Sequence, residues 1–215
     1  MKKVNKGMYG YLEYQKKAQT FKTILFFIIP LSLFIAGLIT TGTDRNLLTI
    51  IAVLGFLPAS KSAVLMIMYL KSHGIDQAAH TIVESTCEKV RPAIDAEGDG
   101  NFYLLYDFVF TTQDETYEIP AVFLYGGSLC GYIHPKQKER IEQAKGKKEK
   151  DVSKTLLGAK AHLESCLKKE GMQVNVKIFD DIKPFTKRLL ELKEIQNAED
   201  APNKAIARVL YQISL

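Results

Sequence analysis

The hydrophobic residues of this chain are concentrated near its N-terminus in two long runs. The first run, residues 23–41, contains no charged residue and matches the roughly 20 residues that a helix needs to cross a bilayer. The second run, residues 47–70, is interrupted only by Pro58 and Lys61. A bilayer offers no hydrogen bonds to an open backbone, so the pattern predicts a transmembrane helical hairpin over residues 23–70.

The charged residues indicate how this hairpin is oriented. Residues 1–22 carry six lysines and one glutamate, whereas the short link between the two apolar runs has one Asp and one Arg. Because basic flanks stay on the cytoplasmic side, we expect a multi-pass protein of the cell membrane with both termini in the cytoplasm. The second run, and the lack of a small-residue cleavage site after Thr41, argue against a secretory signal peptide.

The remainder, residues 71–215, is predicted to be a cytoplasmic domain. It holds 21 Lys and Arg against 22 Asp and Glu, so the net charge of +5 for the whole chain belongs to the basic N-terminal segment, residues 1–22. This balance is not typical of a nucleic-acid-binding domain. The lipid bilayer is therefore the partner that the charge pattern predicts, and nucleic acid is not an expected one.

Lys61 is the only charged residue inside either apolar run. At 1.5 Å per residue it lies about 13 Å from the cytoplasmic end of its predicted span. An intramembrane charge of this kind is a candidate contact with an ion or a partner, as it would be in a small transport or channel accessory. The interpretation that we favour is that the Lys61 side chain extends towards the headgroups beside a kink at Pro58.

The periodicity of residues 71–215 predicts alternating helices and strands. The expected elements, in order, are a helix over 75–90 ended by Arg91-Pro92, strands over 103–110, 117–124 and 129–133, a helix over 152–171, a strand over 174–179, a helix over 185–195, and a last helix capped by Asp200 with Pro202 in its first turn. The fold class predicted by this order is α+β, with a small mixed β-sheet flanked by helices.

A lysine-rich stretch lies between the third strand and the next helix. It includes Lys145, Lys147 and Lys148, which we regard as candidate contacts with the membrane or a partner. Basic side chains near a membrane surface attract anionic lipids, and the same side chains can bind nucleic acid. A solvated helix or linker is the commoner explanation of such a stretch.

Two short stretches of the predicted sheet carry candidate chemistry, Glu118-Ile-Pro120 and His134-Pro-Lys136. With this element order, residues 76–180 resemble the restriction-endonuclease-like core, and within it the nuclease-related domains that bacteria often tether to membranes. The resemblance implies an Asp on the second strand and an Asp/Glu-x-Lys on the third, holding Mg²⁺.

This chain departs from that pattern, because Pro120 stands where the Asp is expected and His134 where the second carboxylate is. Asp107 and Glu118, with Lys136, are the candidate catalytic residues that remain if the activity is retained. The hypothesis requires a strand register that brings both carboxylates to one face of the sheet.

No other motif predicts a cofactor or a resident metal. The stretch from Asp95 to Gly100 begins like a calcium-binding loop, but Tyr106 occupies the position of the bidentate Glu. The sequence therefore favours a non-catalytic, membrane-anchored binding or scaffolding domain whose partner is another protein, a second copy or the membrane surface. The alternative is a divergent metal-dependent nuclease-like enzyme tethered to the membrane.

Overall fold

The computed structural model describes residues 3–96, 102–112, 115–133, 150–191 and 202–215. The chain divides into two compact units. One unit consists of residues 12–72, and the other combines residues 1–11 with residues 73–215. We call them the hairpin unit and the α+β unit.

Two helices form the hairpin unit, α1 (Tyr11–Thr41) and α2 (Leu47–Lys71). Both are long and apolar enough to cross a membrane. α1 begins well before the apolar run that starts at Thr23, because residues 11–22 are polar but rich in good helix formers such as Gln, Lys and Ala. Hydropathy therefore located the apolar part of this helix and not its beginning.

Small residues let the two helices approach closely. On α2, Ala52, Ala59 and Ser62 are buried although most of their neighbours are exposed. A Cβ atom added to Gly55 would lie 2.9 Å from Cγ of Pro30, so no larger residue fits there without a shift. Close backbone approach through small residues is the usual way in which apolar helices pack in lipid.

A polar contact fixes the register of the two helices. The Gln19 side-chain amide donates to the Ser62 carbonyl (3.2 Å) and to its hydroxyl (3.0 Å). The Thr23 hydroxyl donates to the same carbonyl (3.1 Å) and shares a hydrogen bond with the Ser62 hydroxyl (2.9 Å). Thr23 and Ser62 therefore lie at the same level of the hairpin, in register with the contact between Pro30 and Gly55.

The α+β unit contains four helices and four strands in its described residues. In order they are α3 (Gln77–Ala96), β1 (Tyr103–Thr111), β2 (Thr116–Tyr125), β3 (Ser128–Tyr132), α4 (Lys150–Lys169), β4 (Asn175–Phe179), α5 (Ile182–Leu190) and α6 (Asn203–Ile213). The predicted α+β class and the order of elements are confirmed.

The predicted end of α3 at Arg91-Pro92 is wrong, since the helix runs on to Ala96. A proline inside a helix removes one backbone hydrogen bond and can kink the helix without ending it, and Pro92 lies inside α3. At the last helix, Pro202 is the residue that precedes α6, and the predicted cap Asp200 lies outside the described residues.

The four strands form one mixed sheet in the order β1-β2-β3-β4. β1, β2 and β3 are antiparallel neighbours, and β4 pairs with β3 in parallel. The turn from β2 to β3 consists of Gly126 and Gly127, with φ angles of +53° and +69°. Two successive positive φ angles are what a two-residue hairpin turn requires, which explains the glycine pair.

Helices cover both faces of this sheet. One core is formed with α4 and α6, which contribute Ala159, Leu163 and Leu167 and then Ile206, Ala207, Val209 and Leu210. The other core is formed with α3 and α5, which contribute Val83, Cys87 and Val90 and then Phe185 and Leu189. The α+β unit is thus a sheet between two helical layers.

Both ends of the sequence cover the outer edge of β1. The backbone N–H of Tyr106 donates to the Gly7 carbonyl (2.9 Å), and that of Leu215 donates to the Val109 carbonyl (2.9 Å). The Lys6 ammonium donates to the carbonyls of Tyr211 (2.8 Å) and Ser214 (2.6 Å). Partial burial lowers the pKa of Lys6 from its ordinary value. These contacts protect a sheet edge that would otherwise be open to another chain.

Alanine at Gly7 is expected to destabilise the α+β unit more than alanine at Gly10. The two φ angles are similar, +83° and +81°, so each substitution carries the left-handed penalty of about 1–2 kcal/mol. At Gly7 the new Cβ would also lie 2.6 Å from Cε1 of Tyr211, whereas at Gly10 no described heavy atom lies within 4 Å. Thermal unfolding of the full chain in detergent should therefore give the lower midpoint for Gly7→Ala. Equal midpoints would contradict the docking of the N-terminal segment.

In the hairpin unit, Ser62→Ala is expected to weaken helix packing by about 1 kcal/mol, the size typical of an interhelical polar contact in lipid. Ser60→Ala is the matched control, because the Ser60 hydroxyl donates only to the Phe56 carbonyl of its own helix. The check is the midpoint of unfolding in mixed micelles as the fraction of dodecyl sulfate rises. A midpoint for Ser62→Ala as high as that for Ser60→Ala would argue against the register.

Candidate functional site

Asp107, one of the candidate catalytic carboxylates, lies where the alternation of side chains between the two faces of the sheet shifts by one residue. The shift occurs on β1 and on β2. Leu105 and Phe108 belong to the same core although they are three residues apart, and Tyr106 belongs to the opposite core. Asp107 is the one non-glycine residue with positive φ in the described part of the chain, at +61°. Left-handed backbone is more tolerable for Asp than for most residues.

Pro120 on β2 stands opposite this point. The paired residues on either side are Tyr106 with Ala121 and Phe108 with Ile119, which leaves Asp107 facing Pro120. Proline has no backbone N–H, so it fits where the ladder of hydrogen bonds is interrupted. The proline at the position where the resemblance predicts an Asp therefore has a structural explanation in this sheet.

Asp107 and Glu118 both contact the short segment between α2 and α3. The Asp107 carboxylate accepts the backbone N–H of Ile75 at 3.1 Å. A Cβ on Gly74 would lie 2.5 Å from the same oxygen, so the segment passes directly over this carboxylate. Glu118, whose side chain is 4% exposed, places its carboxylate 3.5 Å from Nδ1 of His73. The two acids thus hold residues 73–75 against the sheet.

A second polar cluster lies beside them and involves the N-terminal segment. The Tyr106 hydroxyl donates to the Glu84 carboxylate (2.6 Å), and Nε2 of His80 lies 3.7 Å from the same oxygen. The Tyr9 ring stacks on His80 with the ring centres 3.8 Å apart. Burial, followed by the hydrogen bond to Glu84, raises the pKa of Tyr106 far above its ordinary value, so the phenol remains a hydrogen-bond donor.

Two adjacent residues of β1 therefore hold both segments that lead into the hairpin unit. The Tyr106 backbone binds Gly7, a few residues before α1 begins at Tyr11. The Asp107 carboxylate binds Ile75, a few residues after α2 ends at Lys71. The site is built from backbone donors and buried acceptors that fix chain segments in place.

Of the other predicted site residues, the structure describes one. Lys61 lies on α2 and is exposed. Lys136, Lys145, Lys147 and Lys148 lie outside the described residues, so the convergence of Lys136 with the two acids stays a prediction. Within the residues that the structure describes, no group of three or more His, Cys, Asp or Glu side chains is arranged to hold a metal ion.

Cys130 is the most perturbed thiol near the sheet. It is buried on β3, and this burial raises its pKa to about 11 even though Arg188 and Lys177 act in the opposite direction. A thiol with so high a pKa is protonated at neutral pH and is a poor nucleophile. Cys130 is therefore part of the packing of the second core.

Comparison with known families, with curated proteins and with solved structures finds no match for this chain. The resemblance to the nuclease-related domains, which was based on element order and on the stretches around Pro120 and Lys136, stays a prediction.

The two acids could be recognised in the sequence, but the residues that they contact could not. His73, Gly74 and Gly7 carry no chemical motif, and their importance arises from contacts with strands far along the chain. The only local signal was the glycine content of these segments, because glycine is common where two backbone segments approach closely.

Asp107→Asn is expected to preserve most of the stability of the α+β unit, whereas Asp107→Ala is expected to lose about 2–4 kcal/mol. Asparagine keeps an acceptor for Ile75 and tolerates left-handed backbone, while alanine leaves the N–H of Ile75 without this acceptor. Chemical denaturation of the full chain measures both. Wild-type stability for the alanine variant would show that the Asp107 contact does not hold this segment.

Proposed function

We propose that this chain is a membrane-anchored scaffold whose α+β unit binds a protein partner in the cytoplasm. In this proposal α1 and α2 cross the cell membrane as a hairpin, with both termini on the cytoplasmic side. The length and apolar character of the two helices support the anchor. The lysines of residues 1–22, against a link without net charge, support the orientation.

The edge of β4 that faces away from β3 is the observation that carries the binding function, because the described part of the chain places no strand beside it. The Asn175 N–H bonds towards β3, to the Gly127 carbonyl, and the Phe179 carbonyl accepts from Ile133 on the same side. Since backbone groups alternate along a strand, those of Val176 and Ile178 point away from the sheet. No described residue bonds to these outward groups. An extended segment of a partner can add to such an edge as a further strand.

The charge on β4 favours a different protein over a second copy. An antiparallel pairing of two β4 strands through Val176 and Ile178 would be centred on Lys177, and would place two exposed lysines opposite each other. Like charges in directly opposed positions destabilise a strand pair. A partner strand with an acidic residue facing Lys177 has the complementary charge.

A non-catalytic role also agrees with the positions of the two candidate acids. Asp107 and Glu118 both contact residues 73–75, and these contacts hold the segment between α2 and α3 against the sheet. A divergent nuclease-like enzyme would require the same carboxylates to be available to a metal ion.

A photoreactive amino acid at Asn175, the exposed first residue of β4, should cross-link the partner in membranes of the source cells. The charge reversal Lys177→Glu should reduce this adduct by about fivefold, because it converts an attractive cross-strand pair into a repulsive one. Lys89→Glu is the matched control, since Lys89 is an exposed lysine on α3 and lies far from β4 in the sequence. Mass spectrometry of the adduct identifies the occupant.

Other outcomes would contradict the proposal in distinct ways. An adduct with twice the mass of the chain would identify self-association. Absence of any adduct, together with Mg²⁺-dependent DNA hydrolysis that is lost in the folded Asp107→Asn variant, would favour the nuclease-like enzyme.

A further inference from the structure

Lys61 lies at a different depth in the hairpin from the one its position in the sequence indicates. The contacts of Ser62 with Thr23, and of Gly55 with Pro30, define one antiparallel register. In this register Lys61 is level with Ile24, and Lys22 lies two residues before Ile24, nearer the N-terminus of α1. At 1.5 Å per residue the two lysines are separated by about 3 Å along the helix axes.

The two lysines also share one side of the hairpin. Lys22 precedes Thr23 by one residue, and Lys61 precedes Ser62 by one residue, while Thr23 and Ser62 face each other. One residue is a turn of about 100° around a helix, and in antiparallel helices the two turns have opposite senses when seen from one end. Both lysines therefore emerge on the same side, on helices whose axes are about 8–10 Å apart at contact.

Both lysine side chains are exposed, and the hairpin unit offers them no carboxylate. Its only acidic residues are Glu13, which pairs with Lys16 at 2.8 Å, and Asp44, which lies in the link at the far end. A second copy of the hairpin has the same two acids at the same depths. The ammonium of Lys22 lies 5.6 Å from the ring centre of Phe26, so an aromatic ring stands beside the pair.

We propose that Lys22 and Lys61 together bind the phosphate of one anionic phospholipid headgroup at the cytoplasmic surface. The inference rests on the membrane placement proposed above, since that placement brings the level of Lys22 to the end of the apolar run of α1. Two cations on one side at one depth match a single phosphate, which carries the negative charge that the hairpin unit does not supply.

The test uses the purified full chain in bilayers that contain spin-labelled phosphatidylglycerol or spin-labelled phosphatidylcholine. The immobilised fraction of each lipid gives the preference for the anionic headgroup. Lys22→Gln and Lys61→Gln should each reduce this preference by about fivefold. Because both lysines contact the same phosphate, the double variant should lose clearly less than the product of the two single losses.

Lys17→Gln is the matched control, because Lys17 is an exposed lysine of α1 that points to the other side of the helix. It should leave the preference nearly unchanged. An equal loss for Lys17→Gln, no loss for Lys61→Gln, or fully multiplicative losses would overturn the shared site. Displacement of the labelled lipid by millimolar inorganic phosphate would also overturn it, by identifying free phosphate as the ligand.

Extraction of membranes with alkaline carbonate distinguishes a failure of the proposed headgroup site from a failure of the proposed membrane anchor. Release of the chain into the wash would contradict the proposed membrane anchor itself. Retention of the chain together with no preference for phosphatidylglycerol would overturn only the headgroup site.

Discussion

The left-handed backbone at Asp107 is the constraint on which the α+β unit depends. At this one residue the alternation of side chains along β1 shifts, so that Leu105 and Phe108, three residues apart, belong to the same core. The same shift allows the Asp107 carboxylate to accept the backbone N–H of Ile75. A residue that avoids positive φ would oppose the shift, and the chain from α2 would lose its fixed path over the sheet.

In the hairpin unit a comparable constraint comes from a hydroxyl and a carbonyl of one residue. Ser62 is buried between the helices and satisfies polar groups from Gln19 and Thr23, which would be costly to leave unpaired in an apolar surrounding. This contact determines which residues of the two helices share a level. As a result Lys61 lies close to the level of Lys22, at the beginning of the apolar run of α1.

The parts of the structure that follow from local pattern could be predicted from the sequence. Apolar runs located the two long helices, and a change of period at Tyr103 located the strands, because burial on one face imposes a repeat of two or 3.6 residues. The full extent of two helices could not be predicted in this way, since Pro92 does not end α3 and the polar residues before Thr23 continue α1.

The candidate site was predicted less completely, because its partners are distant in the sequence. Asp107 and Glu118 could be recognised as charged residues on predicted strands. No neighbouring residue in the sequence indicated that they contact His73 and Gly74. The docking of Gly7 on β1 was missed for the same reason. Hydropathy and charge describe one segment at a time, whereas these contacts depend on the strand register and on segments that are distant in the sequence.

The outer edge of β1 is covered by residues near both ends of the sequence, and this has a consequence for the synthesis of the protein. Gly7 leaves the ribosome early, and Ser214 and Leu215 leave it some 200 residues later, yet both regions pair with the same strand. β1 can form its sheet with β2 during translation, but its outer edge stays incomplete until residues 214–215 emerge. During that interval the nascent chain carries an unprotected strand edge, the state most prone to wrong pairing and to capture by chaperones.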